Sequence, residues 1–242
     1  MKSISFLKGG MTVGIISSIR GKRAGKDVGA RKKRPSFTPP PSHVSLRPCL
    51  TLTVQYRSQC EGIGQLLADR LGFTLYDKEI FDLIAEQSNV PRDTIDALDE
   101  DSTLGFNFLV NSLLGSPYVV PEDFGRDLVK ALHMIAETGD TIILGRGSAL
   151  ALRGPKVLNV QILESFESRL KRLQDAEGIS YTEAEIEIAE IDSARSQFIE
   201  DYYKHDIDDP ELYDLVVNCE FLTRADVADL IQFALKAKLG AN

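Results

Sequence analysis

The sequence predicts an α/β protein, a three-layer α/β/α fold around a parallel five-stranded sheet. Five short apolar, β-like runs alternate with helix-sized amphipathic stretches from residue 50 onward. Strands separated by helix-length connections join in parallel through right-handed crossovers, which leaves the sheet buried on both faces. The roughly 190 residues involved are enough for one domain with helices on either side, and no internal repeat divides them.

The predicted strands are residues 50–56, 73–76, 141–145, 157–163 and 213–218, each a short apolar or β-branched run. Helices are predicted over 62–71 and 78–87, then 91–98, where Pro91 suits a first helical turn. The next spans 122–138 and stops at Gly139, a residue suited to a helix C-terminus. Residues 166–177, 182–204 and 224–239 complete the set. The helix over 182–204 carries a broken apolar stripe (Ile186, Ala189, Ile191, Ala194, Phe198) beside Glu183, Glu185, Glu187 and Glu190. Such a helix packs along part of its length and suits a mobile lid near residues 180–208, with a plain surface helix as the alternative. Only residues 102–121, where Gly105, Gly115 and Pro117 interrupt an apolar run, have no clear assignment.

The formal charge of -8 hides a split. Residues 1–49 hold eleven basic side chains against the single acid Asp27, a net +10, so the remainder carries -18. With Pro39-Pro40-Pro41 and many Gly and Ser, this segment reads as a disordered arm preceding a domain of residues 50–242. A targeting segment or an upstream start with Met11 as the true one are the other readings. Net acidity argues against bulk nucleic-acid binding, leaving only weak contact through Lys32-Lys33-Arg34. No apolar run reaches the ~18 residues of a membrane span. Three cysteines without paired spacing (Cys49, Cys60, Cys219) fit a reducing compartment, and a cytoplasmic location is expected. The three histidines are scattered, and no metal site is expected.

In an open parallel sheet ligands bind beyond the carboxyl ends of the strands. After the first strand the chain reads Gln55-Tyr56-Arg57-Ser58-Gln59-Cys60-Glu61-Gly62-Ile63, a short loop opening a helix. Unsatisfied N–H groups and the positive end of the helix dipole make that position suitable for phosphate. It is not a Walker A sequence, since no Gly-Lys-Ser/Thr follows. Cys60 at a helix start invites a nucleophile reading, but no neighbouring His supports it. Tyr202 and Tyr203 read as surface packing, with base stacking as the sharper alternative.

Further motifs follow in order: Tyr76-Asp77-Lys78-Glu79 after the second strand and Gly145-Arg146-Gly147 after the third. Arg169 and Arg172 follow the fourth, then Asp192-Ser-Ala-Arg195 and Asp209-Pro-x-x-Tyr213-Asp214 before the fifth. Through these motifs residues 50 to about 237 resemble the cytidylate kinase-like family, P-loop relatives of the nucleoside monophosphate kinases. The resemblance implies ATP-dependent phosphoryl transfer to CMP, dCMP or a related nucleotide, with Mg²⁺ accompanying ATP. It places Arg57, Ser58, Gln59, Cys60, Glu61, Gly62 and Ile63 around the donor phosphates. Arg146, Arg172 and Arg195 would neutralise acceptor and transferring phosphates, because a planar guanidinium binds phosphate oxygens in pairs. Asp77 is the acidic candidate on the acceptor side, with helix capping at Lys78 as its structural alternative. Surface ion pairing is the corresponding alternative for Arg169 and Arg172.

The loop departs from the family pattern: Arg57-Ser58-Gln59-Cys60 stands where Gly-Ser-Gly-Gly is usual. Glycines let amides converge on phosphate through positive φ angles with no Cβ in the way. The second reading is therefore a catalytically inactive kinase fold that senses a nucleotide or binds a partner. The oligomeric state is not legible.

Overall fold

The computed structural model describes residues 47–77, Ile80 and 124–240. All of them fall within one compact unit, residues 36–242. The expected arm lies outside the described residues as far as residue 46. So do the helices expected over 78–87 (Ile80 excepted) and 91–98, and the unassigned stretch 102–121.

The chain runs β1 (Cys49–Val54), α1 (Ile63–Leu71), β2 (Thr74–Tyr76), α2 (Phe124–Thr138), β3 (Thr141–Leu144), α3 (Ser148–Ala151), β4 (Val157–Leu163), α4 (Phe166–Glu177) and α5 (Tyr181–Tyr203). A 3₁₀ turn (Pro210–Leu212), β5 (Leu215–Asn218) and α6 (Arg224–Leu239) follow. The five strands form one parallel sheet, as expected, and stand in the order β2-β3-β1-β4-β5. From β1 the chain crosses to one side to make β2 and β3, then to the other to make β4 and β5. The carboxyl end of β1, between β3 and β4, is therefore the topological switch point, where such sheets open a crevice.

Period-two alternation divides the core. Leu50 and Leu52 of β1, Ile142 of β3 and Leu158, Val160 and Ile162 of β4 pack with α1 and α6 through Ile63, Leu67, Val227 and Ile231. Cys49, Ile143 and Val157 face the other way, against Leu128, Leu132 and Ile135 of α2 and Ile199 and Tyr203 of α5. Each fully buried aliphatic side chain stabilises the fold by about 1.5–3 kcal/mol. On this second face β4 also buries Asn159, which accepts the Thr51 hydroxyl (2.6 Å) and donates to Leu152 O (3.1 Å). A third cluster, Leu170, Leu173, Ala184 and Ile188, joins α4 to α5.

Several boundaries differ from expectation. β1 ends at Val54 because the chain turns at Tyr56-Arg57, and β5 begins at Leu215 after the 3₁₀ turn. The short α3 was not expected: its Ser-Ala-Leu-Ala run is too brief for a helical period to show. α5 starts at Tyr181, fixed by a capping box in which Ser180 and Glu183 bond reciprocally. Tyr203 is buried at 6% exposure and belongs to the core, because α5 brings its last turn down onto β3 and α2.

Candidate functional site

The loop after β1 is closed by the chain's own groups. The Arg57 N–H donates to Glu61 Oε1 (2.5 Å), the Ser58 N–H to Gln55 O (3.2 Å) and the Gln59 N–H to Glu164 Oε2 (2.7 Å). The Glu61 and Ile63 amides bond to Ser58 O (3.1 Å) and Cys60 O (3.0 Å). Five amides between residues 57 and 63 thus have acceptors within the protein. Arg57 sits in the left-handed region at φ 58°, which costs a non-glycine residue about 1–2 kcal/mol. Its carboxylate-bonded amide and a guanidinium that bridges to Glu177 and lies 5.1 Å from the Tyr56 ring hold it there. Gly62, at φ 78°, is the residue whose lack of a Cβ lets the chain enter α1.

Other loop side chains point inward. Gln59 Nε2 donates to the carbonyls of Cys219 and Leu222, the latter at 2.9 Å, tying the loop to the turn after β5. Arg224 Nη2 donates to Gln59 O (3.1 Å). Ser58 is buried, and its hydroxyl has no hydrogen-bond partner among the described residues. Cys60 is fully buried, and desolvation, aided by the neighbouring Cys219 thiol, pushes its pKa up to about 12. The position at the helix start does not activate it.

Three arginines of α4 and α5 converge on the carbonyl side of the same loop. Arg195 Nη1 donates to Val54 O (3.0 Å), Arg169 Nη1 to Tyr56 O (3.2 Å) and Arg172 Nη1 to Arg57 O (2.5 Å). Arg172 and Arg169 are also paired with carboxylates. Arg172 forks onto Glu164 (2.6 and 2.8 Å), which strengthens its hold on its proton. Arg169 forks onto Asp192 (2.7 and 3.1 Å). Arg169 is not a surface ion pair: at 3% exposure it is a buried strut between α4, α5 and the loop. The Tyr56 hydroxyl donates to Glu187 (2.7 Å), and burial together with that carboxylate pushes its pKa up to about 12.

The remaining candidates sit on neighbouring strands. Asp77 follows β2 and Arg146 follows β3, with Arg146 Nη2 3.3 Å from Asp77 Oδ1. Arg146 is 7% exposed and lies in a turn whose three residues, Gly145, Arg146 and Gly147, all have φ between 57° and 70°. The Tyr203 hydroxyl donates to Arg146 O (3.2 Å). Its ring lies so close to Gly147 that a Cβ there would stand 2.3 Å from Tyr203 Cε2, so this position requires glycine. The bonds therefore place the catalytic candidates in two groups, Arg172 and Arg195 against the loop and Arg146 with Asp77.

Sequence reasoning missed Glu164 and took Tyr203 for a surface-packing or base-stacking residue, whereas it is a core residue. Glu164 carried a signal: a carboxylate directly after the apolar run of β4, at the carboxyl end of a central strand. It is 6% exposed, and its own N–H donates to Gln55 Oε1 (2.8 Å).

Mg²⁺ with ATP would need converging available amides and surrounding positive charge. In this loop five amides are bonded internally, and the carboxylates of Glu61 and Glu164 stand where added negative charge would be repelled. The loop as folded does not fit a triphosphate. Among the described residues no cluster of three or more His, Cys, Asp or Glu is arranged to hold a metal ion. Among them, too, no helix is long and apolar enough to cross a membrane.

Comparison with known proteins agrees with the topology. Residues 49–220 match the model of the cytidylate kinase-like family. A cytidylate kinase from Methanosarcina acetivorans is 29% identical over 117 residues, which cover 47% of this chain and 65% of that enzyme's length. An uncharacterized protein from Eubacterium ventriosum superposes with a TM-score of 0.59 at 16% identity, covering 79% of this chain and 99% of its own. TT1252 from Thermus thermophilus superposes at 0.50 and 12% identity, covering 81% and 99%. These structural likenesses concern the fold. With the family model spanning β1 through the end of β5, the sheet order β2-β3-β1-β4-β5 is that of a P-loop kinase fold, and the chain belongs to the cytidylate kinase-like family.

Proposed function

We propose that this protein is a nucleotide-sensing member of its family, one that binds a nucleoside monophosphate on the acceptor side without transferring phosphate from ATP. One observation carries the reading: the amides that would hold a donor phosphate are already bonded to Glu61, Glu164 and loop carbonyls. The acceptor side retains a buried guanidinium, Arg146, beside Asp77 at the ends of adjacent strands. CMP or dCMP is the first candidate ligand, in keeping with the family and the cytidylate kinase relative. In this proposal residues 50–242 are the functional domain and residues 1–49 an arm. The three cysteines, unpaired and buried, suit a cytoplasmic setting.

A second reading, ATP-dependent phosphoryl transfer, is favoured by the gathering of Arg169, Arg172 and Arg195 around the loop. Titration with CMP, with Mg-ATP and with both, following melting temperature and ADP release, separates the two. A ligand that binds only the native state stabilises it by about 2.7 kcal/mol at a hundred times its Kd. The sensing reading expects a rise in melting temperature with CMP, none with Mg-ATP alone, and no ADP. Sustained ADP formation dependent on CMP would replace it with the phosphotransferase reading, and the absence of a CMP shift would remove the acceptor site.

A further inference from the structure

The donor set around Glu164 has the form of an anion site. One carboxylate oxygen accepts the Gln59 amide (2.7 Å) and Arg172 Nη1 (2.8 Å), and the other accepts Arg172 Nη2 (2.6 Å). A guanidinium fork together with a loop amide at the carboxyl end of a parallel strand is the combination that recognises a phosphate oxygen pair. Here a side chain of the protein occupies it. The position is not adventitious: Glu164 is 6% exposed, and both its backbone N–H and its carboxylate are tied to the loop. Glu61 repeats the arrangement on a smaller scale by accepting the Arg57 amide.

We propose that Glu164, assisted by Glu61, is the specificity-determining residue of this loop, an internal stand-in for phosphate that excludes polyphosphate from the folded protein. The proposal rests on reading the loop as the donor side. It explains how a loop with a single glycine stays ordered: the carboxylates satisfy amides that a bound anion would otherwise satisfy. With Glu164 in place Arg172 has its charge matched, so an approaching polyphosphate gains no unmatched cation there and meets two carboxylates. Removing Glu164 leaves the Gln59 amide and the Arg172 fork facing the same small space.

The test uses the full chain and inorganic tripolyphosphate, followed by melting temperature and titration calorimetry. Wild-type protein is expected to show no binding at millimolar tripolyphosphate. Glu164→Ala is expected to bind it at least about tenfold more tightly than the wild-type limit, and the gain is expected to vanish in Glu164→Ala/Arg172→Ala. Equal binding by wild type and Glu164→Ala overturns the proposal, as does a gain that survives loss of Arg172. If Glu164→Ala does not fold, Glu61→Ala decides. Glu61 is exposed, its loss frees the Arg57 amide, and a gain of about threefold is expected, with no gain overturning the proposal. CMP titration of the same proteins keeps the two readings apart. A CMP shift without any tripolyphosphate gain sinks the exclusion role of Glu164 and leaves nucleotide sensing standing, whereas a tripolyphosphate gain without a CMP shift does the reverse.

Discussion

Replacing Gly147 by alanine tests how the turn after β3 is held. Gly147 has φ 70°, and a Cβ built there meets two ring carbons and the hydroxyl oxygen of the buried Tyr203 at 2.3, 2.6 and 2.8 Å. Tyr203 has little room to withdraw, since it packs in the core with Leu128, Leu132 and Ile199. The backbone contribution is about 1–2 kcal/mol for a left-handed alanine, and overpacking against a fixed ring adds about 1–3 kcal/mol. The expected loss of about 2–5 kcal/mol corresponds to roughly 4–20 °C in melting temperature for a domain of this size. Gly145→Ala is the internal control: its φ is 60°, yet nothing lies within 4 Å of the added Cβ, so only the backbone cost of about 1–2 kcal/mol applies. Urea unfolding of the two variants, compared at equal m-values, measures the difference. Equal losses would refute the argument that Tyr203 fixes this turn by contact.

Under the proposed nucleotide-sensing function, Arg146→Lys and Asp77→Asn are each expected to weaken CMP binding about tenfold by calorimetry while leaving the melting temperature of the unliganded protein within a few degrees. His133 is expected to make stability pH-dependent: burial, outweighing the nearby Glu137, holds its pKa below the ordinary value of 6.5. Its contribution is then full above about pH 6.5 and declines as pH falls, because the unfolded chain takes up the proton first. The urea midpoint between about pH 7.5 and pH 5 should fall less steeply in His133→Gln. Cys60, with its pKa near 12, should resist iodoacetamide at about pH 8 in the native protein and react readily in urea; rapid native alkylation would contradict the loop geometry.

The sheet was legible because its strands are short apolar runs spaced by helix-length segments, and the crossover rule then leaves few arrangements. The ends of elements were less so. β1 stops where Tyr56 and Arg57 turn, and that turn is held by Glu61, Glu177 and Arg172, the last two far along the chain. The site residues divide in the same way. Asp77 and Arg146 were recognisable from motifs on adjacent strands, and the structure brings them together. The altered loop was recognisable too, from its missing glycines. What local sequence did not carry is the partner of each loop amide: Glu164 lies 105 residues beyond Gln59, and only the β1–β4 pairing makes them neighbours. Arg169 read as a surface residue because its helix is strongly polar, whereas α5 covers it through Asp192.

That covering helix is fastened at intervals along its length. Glu187 holds Tyr56, Asp192 holds Arg169, Arg195 reaches the Val54 carbonyl, and Tyr203 bonds the Arg146 carbonyl at the far end. A strap with such fastenings cannot lift from the loop while leaving the turn after β3 undisturbed. Whatever loosens one end is felt at the other, so the loop after β1 and the turn after β3 share a common mechanical linkage even though they lie on different strands. In this protein the connection between the two groups of candidate residues is part of the resting fold.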